Sequence, residues 1–198
     1  MRKHLCLLFL VVLSAPVRAQ DSRADVSVGY ALVHTDLGSG SRNLNGFEMD
    51  YRVKPSFGRQ WFSVEVNFAQ YFGSASIPLR GVCDVPGCVT PIMPSNVGIS
   101  SFHSGVRFSR SGEKLSPFVK VLVGGSSVLA KGTGISWAGV NRSAAGFSYI
   151  AGFGANYHLS RRFGWYVEGD YLETHLWGSF QPNARFSTGP IVFLGIPH

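Results

Sequence analysis

Nine ionisable side chains stand singly among apolar neighbours: Glu48, Asp50, Arg52, Glu65, Arg107, Lys120, Glu168, Asp170 and Arg185. Five are acidic and four are basic. Carboxylates brought close together can do general acid–base work or cleave glycosides. Carboxylates brought close to ammonium and guanidinium groups neutralise them instead, and a network of that kind fills space. The near-balance of charge favours an ion-paired network. Which chemistry applies depends on the elements that hold these residues.

The stretch "WFSVEVNFAQYF", residues 61–72, shows what those elements are. Phe62, Val64, Val66, Phe68 and Phe72 fall on one side, and Ser63, Glu65, Asn67 and Ala69 on the other. Alternation with period two is a strand with one oily and one wet face. Eight such segments follow one another, at 24–34, 44–53, 61–72, 98–108, 117–125, 144–157, 165–174 and 183–194. The gaps between them hold 9, 7, 25, 8, 18, 7 and 8 residues. The two longest are both odd-numbered, which is the record of a meander with loops on one rim and tight turns on the other.

The wet face decides where the oil points. It carries Ser27, Gly29 and Ala31 on the first strand and Ser101, His103 and Gly105 on the fourth. On the sixth it carries Ser148, Gly152 and Gly154. Glycine weakens an exposed strand, so a water-soluble barrel would not place this set outside. Small residues mixed with a few long charged ones suit the narrow interior of an eight-stranded barrel. The large apolar set then faces outward, which only a bilayer tolerates. The expected fold is all-β, an eight-stranded antiparallel up-and-down transmembrane β-barrel. Trp61 and Trp165 are expected in an aromatic girdle at one interface, and Tyr71, Phe72 and Trp177 at the other.

The first residues, "MRKHLCLLFLVVLSAPVRAQ", have a basic start, an apolar run from Leu5 to Leu13, and Val17 and Ala19 at signal-peptidase spacing. Residues 1–19 are expected to be a secretory signal peptide, with the barrel domain filling 20–198. Loss of Arg2, Lys3 and Arg18 takes the formal charge from +7 to +4. The remaining basic residues are scattered, which argues against nucleic acid as a partner. Cys83 and Cys88 flank a Pro-Gly turn in "CDVPGC". In an exported chain they are expected to form a small disulfide, and no nearby ligand suggests a metal. "GFGANY" has no helix after it, so it is a lumen pattern and not a phosphate loop; no cofactor is expected.

The segment "AGFGANYHLSRRFGWYVEGDYLETHLWGSFQPNARFSTGPIVFLG", with "SVGYAL", "GFEMDYRV" and "KVLVGGS" before it, resembles the small outer-membrane β-barrel family. That family includes the OmpA-type transmembrane domain and the OmpX-type barrels. The resemblance covers essentially the whole mature chain. It implies an antiparallel barrel of eight strands in the outer membrane of a Gram-negative bacterium. The chain departs from the family in ending "FLGIPH" instead of on an aromatic residue, which leaves Phe193 as the nearest assembly signal. Pro190 lies inside the eighth strand, where a bulge or early fraying is expected.

Counted from the turns, Asp50, Glu65, Lys120 and Glu168 fall at similar heights, and the acids of the seventh strand neighbour Arg185. A plugged lumen is therefore expected, with Glu65 and Lys120 at one level. His34 with Asp36, or His175 with Ser179 and Glu173, supply parts of a hydrolase site at the rim, but no nucleophile motif surrounds the serines. The long loops at 73–97 and 126–143 remain as the interaction surface. Lys131, Trp137 and Arg142 in the second of them suit an extracellular ligand or lipopolysaccharide phosphates. The sequence favours a structural or surface-interaction barrel among outer-membrane lipids. Its alternative is a small porin-like conduit, with a rim-sited hydrolase behind both.

Overall fold

A computed structural model describes residues 24–36, 41–55, 61–78, 92–110, 112, 114–133, 139–176 and 179–194. Eight strands follow in order: β1 (Ala24–Asp36), β2 (Ser41–Val53), β3 (Phe62–Pro78), β4 (Ile92–Ser109), β5 (Leu115–Gly132), β6 (Asn141–His158), β7 (Phe163–Leu176) and β8 (Ser179–Leu194). Each pairs antiparallel with the next, and β1 pairs with β8 to close the barrel. Closure leaves no edge with unpaired backbone groups, which a membrane requires of any sheet that crosses it.

The oil points outward. Val28, Tyr30, Phe102, Val121, Phe147 and Phe153 are exposed on the wall, while Ser27, Glu48, Glu65, Ser148 and Glu168 are buried. Trp61, Phe72 and Trp165 are also outward and exposed. Tyr71 is not: it is fully buried, and its hydroxyl accepts a 3.2 Å hydrogen bond from Arg185 Nη1. Parity explains this correction, because Tyr71 shares the lumen face with Asn67 and Ala69. Phe118 is likewise inside, with the Arg107 guanidinium 3.3 Å from its ring centroid.

The central strands are longer than the alternation suggests. β3 runs on to Pro78, β4 begins at Ile92, β5 reaches Gly132 and β6 begins at Asn141. The connections therefore shrink to 79–91 and 133–140, and Lys131 and Arg142 lie on strands instead of in a loop. Lys131 is exposed on the outer face, and Arg142 is half-buried on the lumen side of β6. Cys83, Cys88, Trp137, Trp177 and residues 1–19, the expected leader, lie outside the described residues.

Pro190 makes no bulge. The register of β7 against β8 is unbroken from Phe163↔Val192 to Leu176↔Ser179. Against β1 the same register holds from Ala24↔Leu194 to Thr35↔Asn183, with the pairs at Val28 and Gly29 left out. The missing N–H of proline thus removes rungs on one side without adding a residue.

Candidate functional site

The lumen is the site, and the stagger of the wall assembles it. Partners followed around the sheet from Asp25 pass Arg52, Glu65, Gly105, Leu122, Ile150, Leu172 and Asn183, then return to β1 at Thr35, ten residues further on. Spread over eight strands, this shear offsets each strand from its neighbour by about 1.25 residues at constant height. Two strands on from Glu65 the level drops by about 2.5 residues, from Leu122 to Lys120. The same construction brings Asp50, Arg107 and Glu168 to that level. Small residues stand there on β1, β6 and β8, and they make the room.

The contacts follow from that placement. Lys120 Nζ lies 3.1 Å from Glu65 Oε1 and 2.7 Å from Glu168 Oε1. Arg107 Nη1 is 3.3 Å from Glu65 Oε2, and its Nη2 donates to Asn156 at 2.9 Å. Arg185 joins the acids of β7 to β2: it pairs with Asp170, with Glu168 at 3.1 Å and with Glu48 at 3.1 Å. Tyr166 donates to the other oxygen of Glu48 at 2.8 Å. Asp50 takes no cation directly and accepts instead from Ser27 at 2.8 Å and Asn67 at 2.5 Å. Arg52 pairs with Asp25.

All nine expected side chains are buried, and eight are joined by ion pairs among themselves or to Asp25; Asp50 is held by neutral donors. Asp25 and Tyr166 were missing from the expected set. Both carry lumen parity, which was the available signal: Asp25 precedes Ser27 by two, and Tyr166 precedes Glu168 by two. Two glycines admit the large groups. A Cβ on Gly29 would fall on the Tyr166 hydroxyl, and one on Gly152 would fall on the Asp170 carboxylate.

Above this layer, toward the rim away from the termini, the lumen changes character. Ala31, Val33, Leu44, Ala69, Tyr71, Ala75, Val97, Ile99, Val128, Ala130 and Leu176 form one buried apolar cluster. None is more than 6% exposed. The interior is therefore charged at one depth and hydrocarbon at the next.

Glu48, Asp50 and Glu168 each bring one oxygen within 4.8 Å of the others, a spacing a metal ion could use. Lys120 and Arg185 already supply positive charge to two of these acids, so a metal would have to compete with them. At the rims, His34 Nδ1 is 2.8 Å from Asn43 Oδ1. Glu173 accepts the hydroxyls of Tyr149 and Tyr171, His175 packs on Phe180, and Ser179 donates to the Leu176 carbonyl. Each member of the His175, Ser179 and Glu173 set thus has a partner outside it.

A closed barrel of eight strands with oil outside and charge inside defines a bacterial outer-membrane protein. The chain belongs to the family of outer membrane protein β-barrel domains, whose model matches residues 5–187. Among solved structures it is similar to Ail, the attachment invasion locus protein of Yersinia pestis, determined with the heparin analogue sucrose octasulfate. The identity is 19%, with 88% of this chain and 100% of that one covered and a TM-score of 0.59. Neisserial surface protein A is similar at 9% identity, with 85% and 96% covered and a TM-score of 0.62. OprG from Pseudomonas aeruginosa matches at 9% identity, with 89% and 98% covered and a TM-score of 0.58. At these identities the likeness is one of fold. No curated protein matches the chain by sequence.

Proposed function

We propose that this barrel has a structural and surface-interaction role, with a lumen closed by packed side chains and its outer rim as the contact surface. One observation carries the reading: the side chains of Glu65, Lys120, Glu168, Asp170 and Arg185 are all 0% exposed. A water-filled conduit needs wetted charges along its wall. Here the charges have one another, and an apolar cluster sits above them.

Among the described residues, exposed basic side chains stand at the outer rim. Arg42 and Lys131 lie at strand ends there, with Arg142 close by. Such a surface suits a polyanion, either the phosphates of lipopolysaccharide or a sulfated glycan on another cell. The solved complex of Ail with a heparin analogue is consistent with that chemistry.

Conductance in planar bilayers tests the closed lumen. The purified barrel should insert without opening steady channels. A steady ohmic conductance whose ion selectivity shifts with Lys120→Met would replace this reading with that of a small pore.

A further inference from the structure

The wall near the terminus-bearing rim carries a feature that the lumen does not use. It is a groove of about 520 Å³ on the β3–β4–β5 side, lined by Trp61, Phe108, Arg110, Pro117 and Val119 among others. That size falls in the range of ligand-sized pockets, roughly 300–1,000 Å³. The Trp61 and Phe108 rings are stacked, with centroids 5.5 Å apart. Two backbone bonds frame it: Ser109 N–H donates to the Trp61 carbonyl at 2.8 Å, and Arg110 N–H to the Pro117 carbonyl at 2.9 Å. These bonds fix the backbone on which the shallow, open groove lies.

Its surroundings are basic. In sequence, the segments 54–60, 110–114 and 159–162 at this rim carry Lys54, Arg59, Arg110, Lys114, Arg161 and Arg162 against one acid, Glu113; Arg59 and Glu113 lie outside the described residues. Arg110 itself is exposed, and no described carboxylate forms an ion pair with it. The rim with short turns and both strand termini faces the periplasm in barrels of this architecture. An aromatic and aliphatic surface at membrane depth, topped by an arginine at the interface, matches an amphiphile with a phosphate above and a chain below.

We infer that the groove between Trp61 and Val119 binds an anionic glycerophospholipid of the inner leaflet, with its phosphate on Arg110. The acyl chain lies along Phe108 and Val119. Arg110, the one cation that lines the groove, selects a headgroup of net negative charge over a zwitterionic one, whose ammonium group it repels. This site is independent of whether the lumen is closed.

Native mass spectrometry of the full barrel in mild detergent tests it, with phosphatidylglycerol and phosphatidylcholine of identical acyl chains as probes. The wild type should retain more phosphatidylglycerol by about fivefold, the worth of one basic residue at an anionic surface. Arg110→Gln should abolish the preference, and Val119→Trp, which fills the groove, should lower retention of both lipids. Phe186→Leu, on the lipid-facing wall of β8, should leave the wild-type pattern intact. Heat-shifted electrophoretic mobility verifies that each variant is folded. Equal retention of the two lipids by the wild type, or a preference that survives Arg110→Gln, overturns the inference.

Discussion

One depth of the lumen carries buried charged side chains, and nearer the outer rim the buried side chains are mainly apolar. Both layers are buried to the same degree, yet they hold the wall by different physics. In the charged layer Lys120 and Arg185 each serve two or more carboxylates, so losing either cation withdraws a partner from several buried acids at once. In the apolar layer Leu44, Val97 and Val128 contribute contact and volume, and each loss is local. The two layers also differ in what they specify. A one-residue slip of any strand sends its lumen face to lipid. For Val128 that exchange is tolerable, whereas for Lys120 or Glu65 it puts an unpaired charge into the bilayer. The charged layer therefore sets register, and the apolar layer adds packing.

The largest effect is expected where one cation serves the most acids. Arg185→Met leaves Glu48, Glu168 and Asp170 short of a partner and should destabilise the barrel by about 3–5 kcal/mol. Urea unfolding in detergent micelles measures this, and a loss below about 1 kcal/mol would mean that the acids are solvated. In the apolar layer, Leu44→Ala should cost about 3 kcal/mol through lost burial and a residual cavity, in the same assay. No second-site charge change should restore it, and that contrast separates the layers. Gly152→Ala is a smaller probe of fit. Its methyl group meets the Asp170 carboxylate and should cost about 1–3 kcal/mol if that side chain cannot move aside.

The charged layer was legible in the sequence because each of its members interrupts an oily strand. Asp50, Glu65, Lys120 and Glu168 could even be placed at one height by counting from the turns, since the shear makes that count equivalent to the geometry. The apolar layer was not legible for the same reason in reverse. Where the lumen face carries Ala75, Val97, Ile99, Val128 and Ala130, both faces of the strand are apolar or small and the period of two fades. The alternation therefore stops short of the outer rim on strands β3 to β6, and their upper parts read as loops in the sequence. Tyr71 reads as an interfacial residue because a tyrosine near a strand end suits an interface as well as a lumen; only strict parity with Asn67 separates the two. The continuity of β8 through Pro190 depends on pairing to both neighbours, which no single segment reveals.

A charged layer that is dry and mutually paired is tested most directly by the double-mutant cycle of Glu65→Gln and Lys120→Met. Their charged atoms lie 3.1 Å apart with both side chains 0% exposed. Lys120→Met alone should cost about 3–5 kcal/mol. Adding Glu65→Gln should recover part of that loss, for a coupling of about 1–3 kcal/mol. A coupling near zero, with each single change costing well under about 1 kcal/mol, would mean that water screens the pair and the lumen is open.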